Sequence, residues 1–192
     1  VTALDSQAGT TLAPFTVRPA PALDIDVASG VGRGPTKIAA FDGALREAGV
    51  HNFNLLYLSS VVPPGSVVTP LPEGRAANPA GGWGDRLYVV MASERVDEPG
   101  QEAWAGVGWV QHEGSAKGLF VEHEGHSEAQ VRRDIAESLR SLCEGRPETF
   151  GPVQSVVRGA VCETPGEAVC ALVVAVFESA PWRGSVIDLS RQ

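Results

Sequence analysis

The sequence predicts an α+β protein built as a layered sandwich. Three observations lead there: about seven stretches carry the β-branched and aromatic residues of strands, only two long stretches carry a helical period, and the two kinds do not alternate as a doubly wound sheet requires. At 192 residues the chain is long enough for one filled core and short for two. Hydrophobic residues at 43% and charged residues at 20% match an ordinary globular domain, so a packed core is expected.

Residues 1–22, VTALDSQAGTTLAPFTVRPAPA, mix small residues and prolines without a sustained period. They predict an extended or partly disordered lead-in to a single domain over 23–192. LDIDVA then alternates as a strand does, and the glycine-rich SGVGRG predicts a turn. A helix follows over PTKIAAFDGALREAGV, with Ile38, Phe41, Leu45 and Ala48 as its buried stripe and Asp42 at the stripe's edge. Thr36 is the expected N-cap and Gly49 the left-handed residue past its end. Next come an apolar strand running through Ser60, a stop at Pro63, Pro64 and Gly65, and a loop rich in Pro and Gly over 63–85.

The second half is strand-dense. RLYVVMASERV, EAWAGVGWVQHE and GLFVEHEG are three strand signals between turn residues. A second helix is expected over 127–144, where Ser127 and Gln130 form a capping box, Val131, Ile135, Leu139 and Leu142 give the buried stripe, and Gly145 ends it. Two final strands, VQSVVRGAVC and EAVCALVVAVF, are joined by ETPG.

A net charge of -8 argues against nucleic acid or an anionic membrane surface as a partner, since both reward clustered Lys and Arg. An acidic field favours cationic ligands instead. No apolar run has the length of a membrane span, and the basic start and apolar core of a signal peptide are missing, which predicts a cytoplasmic protein. Cys143, Cys162 and Cys170 form no close-spaced metal motif and read as free thiols in the core.

Single motifs favour structural roles. GVGRGPTK fails as a phosphate loop, because Pro35 replaces the third glycine of the dinucleotide fingerprint and Thr36 precedes Lys37. His123 and His126 in EHEGH have a spacing useful to a metal only on a helix, which Gly125 opposes, so no metal site is expected. Ser59 and Ser60 lack the G-x-S-x-G elbow of a hydrolase. Taken alone, Asp42 is a solvated helix residue and Glu122 the polar half of a strand pattern.

Together these pieces resemble the pyruvoyl-dependent arginine decarboxylase family. GPTKIAAFDGALREAGVHNFNLLYLSSVVPPGSVV matches its helix with A-F-D-x-A-L, its N-x-N-L strand and its S-S-[IV]-x-P-P segment, while GLFVEHEG matches G-L-x-x-E-x-E-G. The resemblance runs over residues 25–177.

The resemblance implies a four-layer αββα sandwich whose precursor cuts itself between Ser59 and Ser60, giving a short chain 1–59 and a long chain 60–192. Ser60 would become a covalent pyruvoyl group, with no metal and no pyridoxal phosphate needed, and would form a Schiff base with a small cationic amino acid, arginine, to release agmatine and carbon dioxide. It assigns the general acid to Glu122, expected to be kept partly protonated by burial, the guanidinium contact to Asp42 and a substrate contact to Asn54. Ser59 would stay near the site as a new C-terminus, and cleaved protomers would form a homotrimer with sites between subunits. Two alternatives stay open: an uncleaved, non-catalytic homologue that assembles with a partner, and the same chemistry on another amino acid or an arginine analogue. His123, where the family often has an aromatic residue, and the Trp-bearing loop 71–86 are the departures that bear on specificity.

Overall fold

A computed structural model of the chain describes residues 22–182. The lead-in expected over 1–22 therefore lies outside the described residues, save Ala22. The fold is α+β. Its elements are β1 (Asp24–Gly34), α1 (Lys37–Ala48), β2 (Asn54–Tyr57), β3 (Val61–Val62), β4 (Val67–Pro70), β5 (Arg86–Val96), β6 (Glu102–Gln111), β7 (Gly118–Gly125), α2 (Glu128–Glu144), β8 (Gln154–Val161) and β9 (Ala168–Ala180). One sheet has five strands in the order β2-β5-β9-β1-β4, and the other has four in the order β3-β7-β6-β8.

Three apolar clusters organise these elements. One draws Val90, Val107, Trp109, Phe120, Val173 and Phe177 from both sheets, with the Phe120 ring 6.1 Å from Trp109 and 5.8 Å from Phe177. A second joins α1 to the five-stranded sheet through Ala40, Ala44, Leu87, Leu172 and Val174. The third seats Val131, Ile135 and Leu139 of α2 on Val110, Leu119 and Val121 of the four-stranded sheet. Strand β9 contributes alternate residues to the first two clusters, so both its faces are covered. That explains why it reads as an unbroken apolar run.

The caps are as expected. Thr36 Oγ1 accepts from the Ala39 N–H at 3.2 Å, Gly49 has φ +81°, and Ser127 Oγ accepts from the Gln130 N–H at 3.3 Å. The buried stripe of α1 differs: Ile38 is 67% exposed, Phe41 lies half-buried under the Arg95 guanidinium, and Ala40, Ala44, Leu45 and Ala48 are buried. The cause lies in β1, which continues through the glycines expected to form a turn. A Cβ on Gly32 would meet the Ala40 carbonyl oxygen at 1.9 Å, and one on Gly30 would meet the Ala44 carbonyl oxygen at 2.2 Å. Helix backbone rests almost on strand backbone, with Ala40, Gly43 and Ala44 of α1 facing the β1 glycines there.

Three further expectations change. The strand expected to run through Ser60 stops at Tyr57, and a second short strand starts at Val61. The loop 63–85 contains β4, which pairs in parallel with β1. Leu142, expected in the buried stripe of α2, is 38% exposed, while its neighbour Cys143 packs against the cluster. The cysteines are free thiols; Cys162 and Cys170 are buried, Cys143 is half-buried, and burial pushes the Cys170 thiol up to about 11.

Candidate active site

The serine pair lies where the chain leaves one sheet for the other. On the first side, Tyr57 pairs with Val89 and the Leu58 N–H donates to the Val89 carbonyl at 2.9 Å. On the second, Val61 pairs with Leu119 and the Ser60 carbonyl accepts from the Phe120 N–H at 2.8 Å. The Ser59–Ser60 peptide is thus stretched between two anchored ends. Ser60 has φ +64°, a left-handed conformation that costs a residue with a Cβ about 1–2 kcal/mol.

Strand β3 pairs with β7 only at Leu119 and Gly118, so the second half of β7 keeps a free edge beside Ser60. Glu122 stands on that edge. The Ser60 hydroxyl donates to its carboxylate, with Oγ 2.9 Å from Oε2 and 3.1 Å from Oε1. Phe120, two residues earlier on the same face, is buried in the intersheet core, whereas Glu122 is exposed. The burial expected of Glu122 is therefore absent. Glu124, one step farther, is the carboxyl that loss of solvent pushes above the usual range, reinforced by the Glu94 charge, opposed by His123 and reinforced again by Glu122.

Ser60 and Glu122 open on a cavity of about 600 Å³ whose other wall belongs to α2, through Glu137, Ser138, Ser141 and Leu142. His123 joins the two walls by a hydrogen bond of 2.8 Å between its Nε2 and the Ser138 hydroxyl. Ser59 faces elsewhere, into a second cavity of about 370 Å³ with Leu58, Tyr88 and Phe177.

Asp42 and Asn54 do not line the first cavity. Asp42 is on α1, across the five-stranded sheet from the intersheet core, where its carboxylate pairs with Arg46 one turn on. Asn54 opens β2 and donates from Nδ2 to the Gly84 carbonyl at 2.5 Å, fixing the loop before β5. His126 lies 3.1 Å from the Glu102 carbonyl, and among the described residues no group of three or more His, Cys, Asp or Glu is arranged to hold a metal ion.

Sequence reasoning missed the α2 wall. Its signal was present, since Glu137, Ser138 and Ser141 share one helical face beside the apolar stripe. Nothing in that face, however, says which strand it will meet.

Comparisons with known proteins identify the family. The family model for pyruvoyl-dependent arginine decarboxylase matches residues 24–180. A pyruvoyl-dependent arginine decarboxylase of Halobacterium salinarum is 35% identical over 156 residues, covering 80% of this chain and 92% of that protein. The corresponding protein of Methanocaldococcus jannaschii is 30% identical over 155 residues, 80% of this chain and 88% of that one. A pyruvoyl-dependent arginine decarboxylase 2 of Archaeoglobus fulgidus is 35% identical over 128 residues, 64% and 79% of the two chains. The chain belongs to the pyruvoyl-dependent arginine decarboxylase family.

Proposed function

We propose that this protein cuts its own chain between Ser59 and Ser60 and then decarboxylates arginine to agmatine. Family membership gives the coarser part, a pyruvoyl-dependent decarboxylase, a lyase, acting on a basic amino acid. The observation that carries the finer reading is the Ser60 hydroxyl donating to the Glu122 carboxylate at 2.9 Å, on a left-handed residue spanning two sheets.

In self-cleavage, Ser60 Oγ attacks the Ser59 carbonyl carbon as its proton passes to Glu122. The C–N bond breaks and the amide nitrogen takes up a proton, leaving Ser59 as an ester on Oγ. Loss of the Ser60 α-proton then breaks the Cβ–Oγ bond and frees the Ser59 carboxylate. Hydrolysis of the resulting dehydroalanine releases ammonia and leaves a pyruvoyl group. The anchors favour this sequence: Leu58 stays bonded to Val89 and Ser60 to Phe120, so both new ends are held after the cut.

The site fits such a group. Residue 60 opens on a cavity of about 600 Å³ that already contains a carboxyl able to accept or return a proton. The group supplies an electrophilic carbonyl and an electron sink for loss of carbon dioxide. Glu122 then returns a proton to the substrate α-carbon.

We place Asp42 and Asn54 in the site as contributions of a neighbouring protomer in a homotrimer. Their separation from the cavity within one protomer supports this, as do Tyr57 and Val61, apolar residues flanking the serine pair that are 63% and 56% exposed. The four-layer αββα order, α1, five-stranded sheet, four-stranded sheet, α2, is proposed on the three separate apolar clusters. Carbon dioxide release from arginine, ornithine, histidine and aspartate tests the substrate. Arginine should lead; preference for another member transfers the chemistry to that substrate, and no release from any removes the proposed activity.

A further inference from the structure

We propose that the Tyr88 hydroxyl is the hydrogen-bond donor that holds the oxyanion on the Ser59 carbonyl during self-cleavage. The inference rests on the self-cleavage reading above and adds a catalytic group to it in the cavity that Ser59 lines. Attack of Ser60 Oγ on the carbonyl carbon puts negative charge on the carbonyl oxygen, and a fixed donor there is usually the largest single contribution to such a step. The bonds that tie down the serine pair leave that oxygen out. Leu58 donates to Val89 at 2.9 Å and Ser60 accepts from Phe120 at 2.8 Å, whereas among the described residues the Ser59 carbonyl accepts no hydrogen bond.

Tyr88 is placed to fill this gap. It packs with Leu58 against the intersheet core, and the Leu58 N–H is bonded to the carbonyl of Val89, the residue after Tyr88. The ring therefore lies beside the chain one residue before the scissile carbonyl. Ser59 and Tyr88 line the same cavity of about 370 Å³. Its far wall is set by a bulge, where β5 shifts register on β9 between Tyr88, paired with Glu178, and Val89, paired with Val176. Phe177 is the extra residue, which explains how it and the adjacent Glu178 both enter the lining. The remaining side chains there are apolar, Glu178 when ionised only accepts, and the Ser59 hydroxyl reaches its own carbonyl only through a short bent ring. The half-buried Tyr88 phenol makes no hydrogen bond among the described residues, so it is the side-chain donor available to that oxygen.

As Oγ bonds to the carbon and its proton passes to Glu122, the carbonyl π pair moves onto oxygen, and the Tyr88 O–H donates to it while keeping its own proton. The pair returns as the C–N bond breaks and the amide nitrogen takes the proton from Glu122, leaving the ester on Oγ.

Time courses of cutting in pulse-labelled chains made by cell-free synthesis test the contact. Tyr88→Phe keeps the ring and removes the donor, and should slow the cut about 10²- to 10³-fold. Added to Ser60→Ala protein, which cannot cleave, the same change should leave the urea midpoint where it was, since no bond of the folded chain is lost. A rate loss matched by a lowered midpoint is a packing effect and overturns the proposal. Fluorotyrosine at position 88, a stronger donor of nearly the same shape, should cut faster than the unaltered chain, and an equal or lower rate also overturns it. Unaltered chains that never cut remove the self-cleavage reading and Tyr88 with it, whereas equal cutting by unaltered and Tyr88→Phe chains removes Tyr88 alone.

Discussion

Ser60 and Glu122 meet through a hydrogen bond of 2.9 Å across the edge of β7. In the proposed mechanism one carboxylate therefore faces the atom that loses a proton in self-cleavage and later returns a proton to the substrate. Glu122→Gln retains a hydrogen-bond acceptor for the serine but not the base. It should slow both self-cleavage and turnover, each by about 10²- to 10⁴-fold. Fragment appearance and carbon dioxide release measure the two rates separately; cleavage at the unaltered rate would confine Glu122 to the later step.

The left-handed backbone at Ser60 predicts an order of stability between two variants that cannot cleave. Ser60→Gly removes the Cβ that opposes φ +64°, whereas Ser60→Ala keeps it. After allowance for the freer unfolded chain of glycine, Ser60→Gly should be more stable than Ser60→Ala by about 0.5–1 kcal/mol in urea unfolding. A Gly variant less stable than the Ala variant would place Ser60 in ordinary backbone.

Contact between α1 and β1 sets a steeper prediction. Gly32→Ala would place a methyl 1.9 Å from the Ala40 carbonyl oxygen and 2.3 Å from the Ala44 nitrogen, so the helix must lift from the sheet. Destabilisation of about 3 kcal/mol or more is expected, at or beyond the upper end of ordinary overpacking. Gly74→Ala is the control, since its φ of +76° is strained for alanine but nothing lies within 4 Å. It should cost about 1–2 kcal/mol, and a similar loss at both positions would contradict the close approach.

Glu124 predicts a pH dependence. Its carboxyl is raised in the folded chain, chiefly by desolvation and then by Glu94, so the folded state holds its proton to higher pH than the unfolded state does. The resulting stabilisation is present below the unfolded value of 4.5 and is lost as pH rises through the folded value. Glu124→Gln should remove this decline from the stability profile, and Glu94→Gln should lower the Glu124 midpoint followed by NMR. A midpoint at or below the ordinary carboxylate value would contradict the assignment.

Local signals in the sequence reported local structure well. Thr36, Ser127 and Gly49 mark helix ends through bonds to their near neighbours, and those bonds form. The alternation of β1 and the run of β9 also identify strands, although the glycines of β1 conceal its length, because a missing side chain looks like a turn until a helix is found pressed on it. Ile38 was misplaced for the same reason: helical spacing names an apolar stripe, but the partner surface decides which stripe is buried. The two serines read as the middle of a strand because Tyr57 and Val61 are equally strand-like; only pairing to different sheets separates them. Ser60 and Glu122, which the motif resemblance singles out, meet in the folded chain. Asp42 and Asn54 rest on the same resemblance and do not reach that cavity, while the polar face of α2 that lines it carries no signal of the strand it meets.

Intact mass of the purified, unaltered protein after extended incubation at neutral pH tests the self-processing site most directly. Two fragments separated between Ser59 and Ser60, the longer bearing a carbonyl that phenylhydrazine traps, are the expected result. One undivided chain with no trapped carbonyl would contradict it.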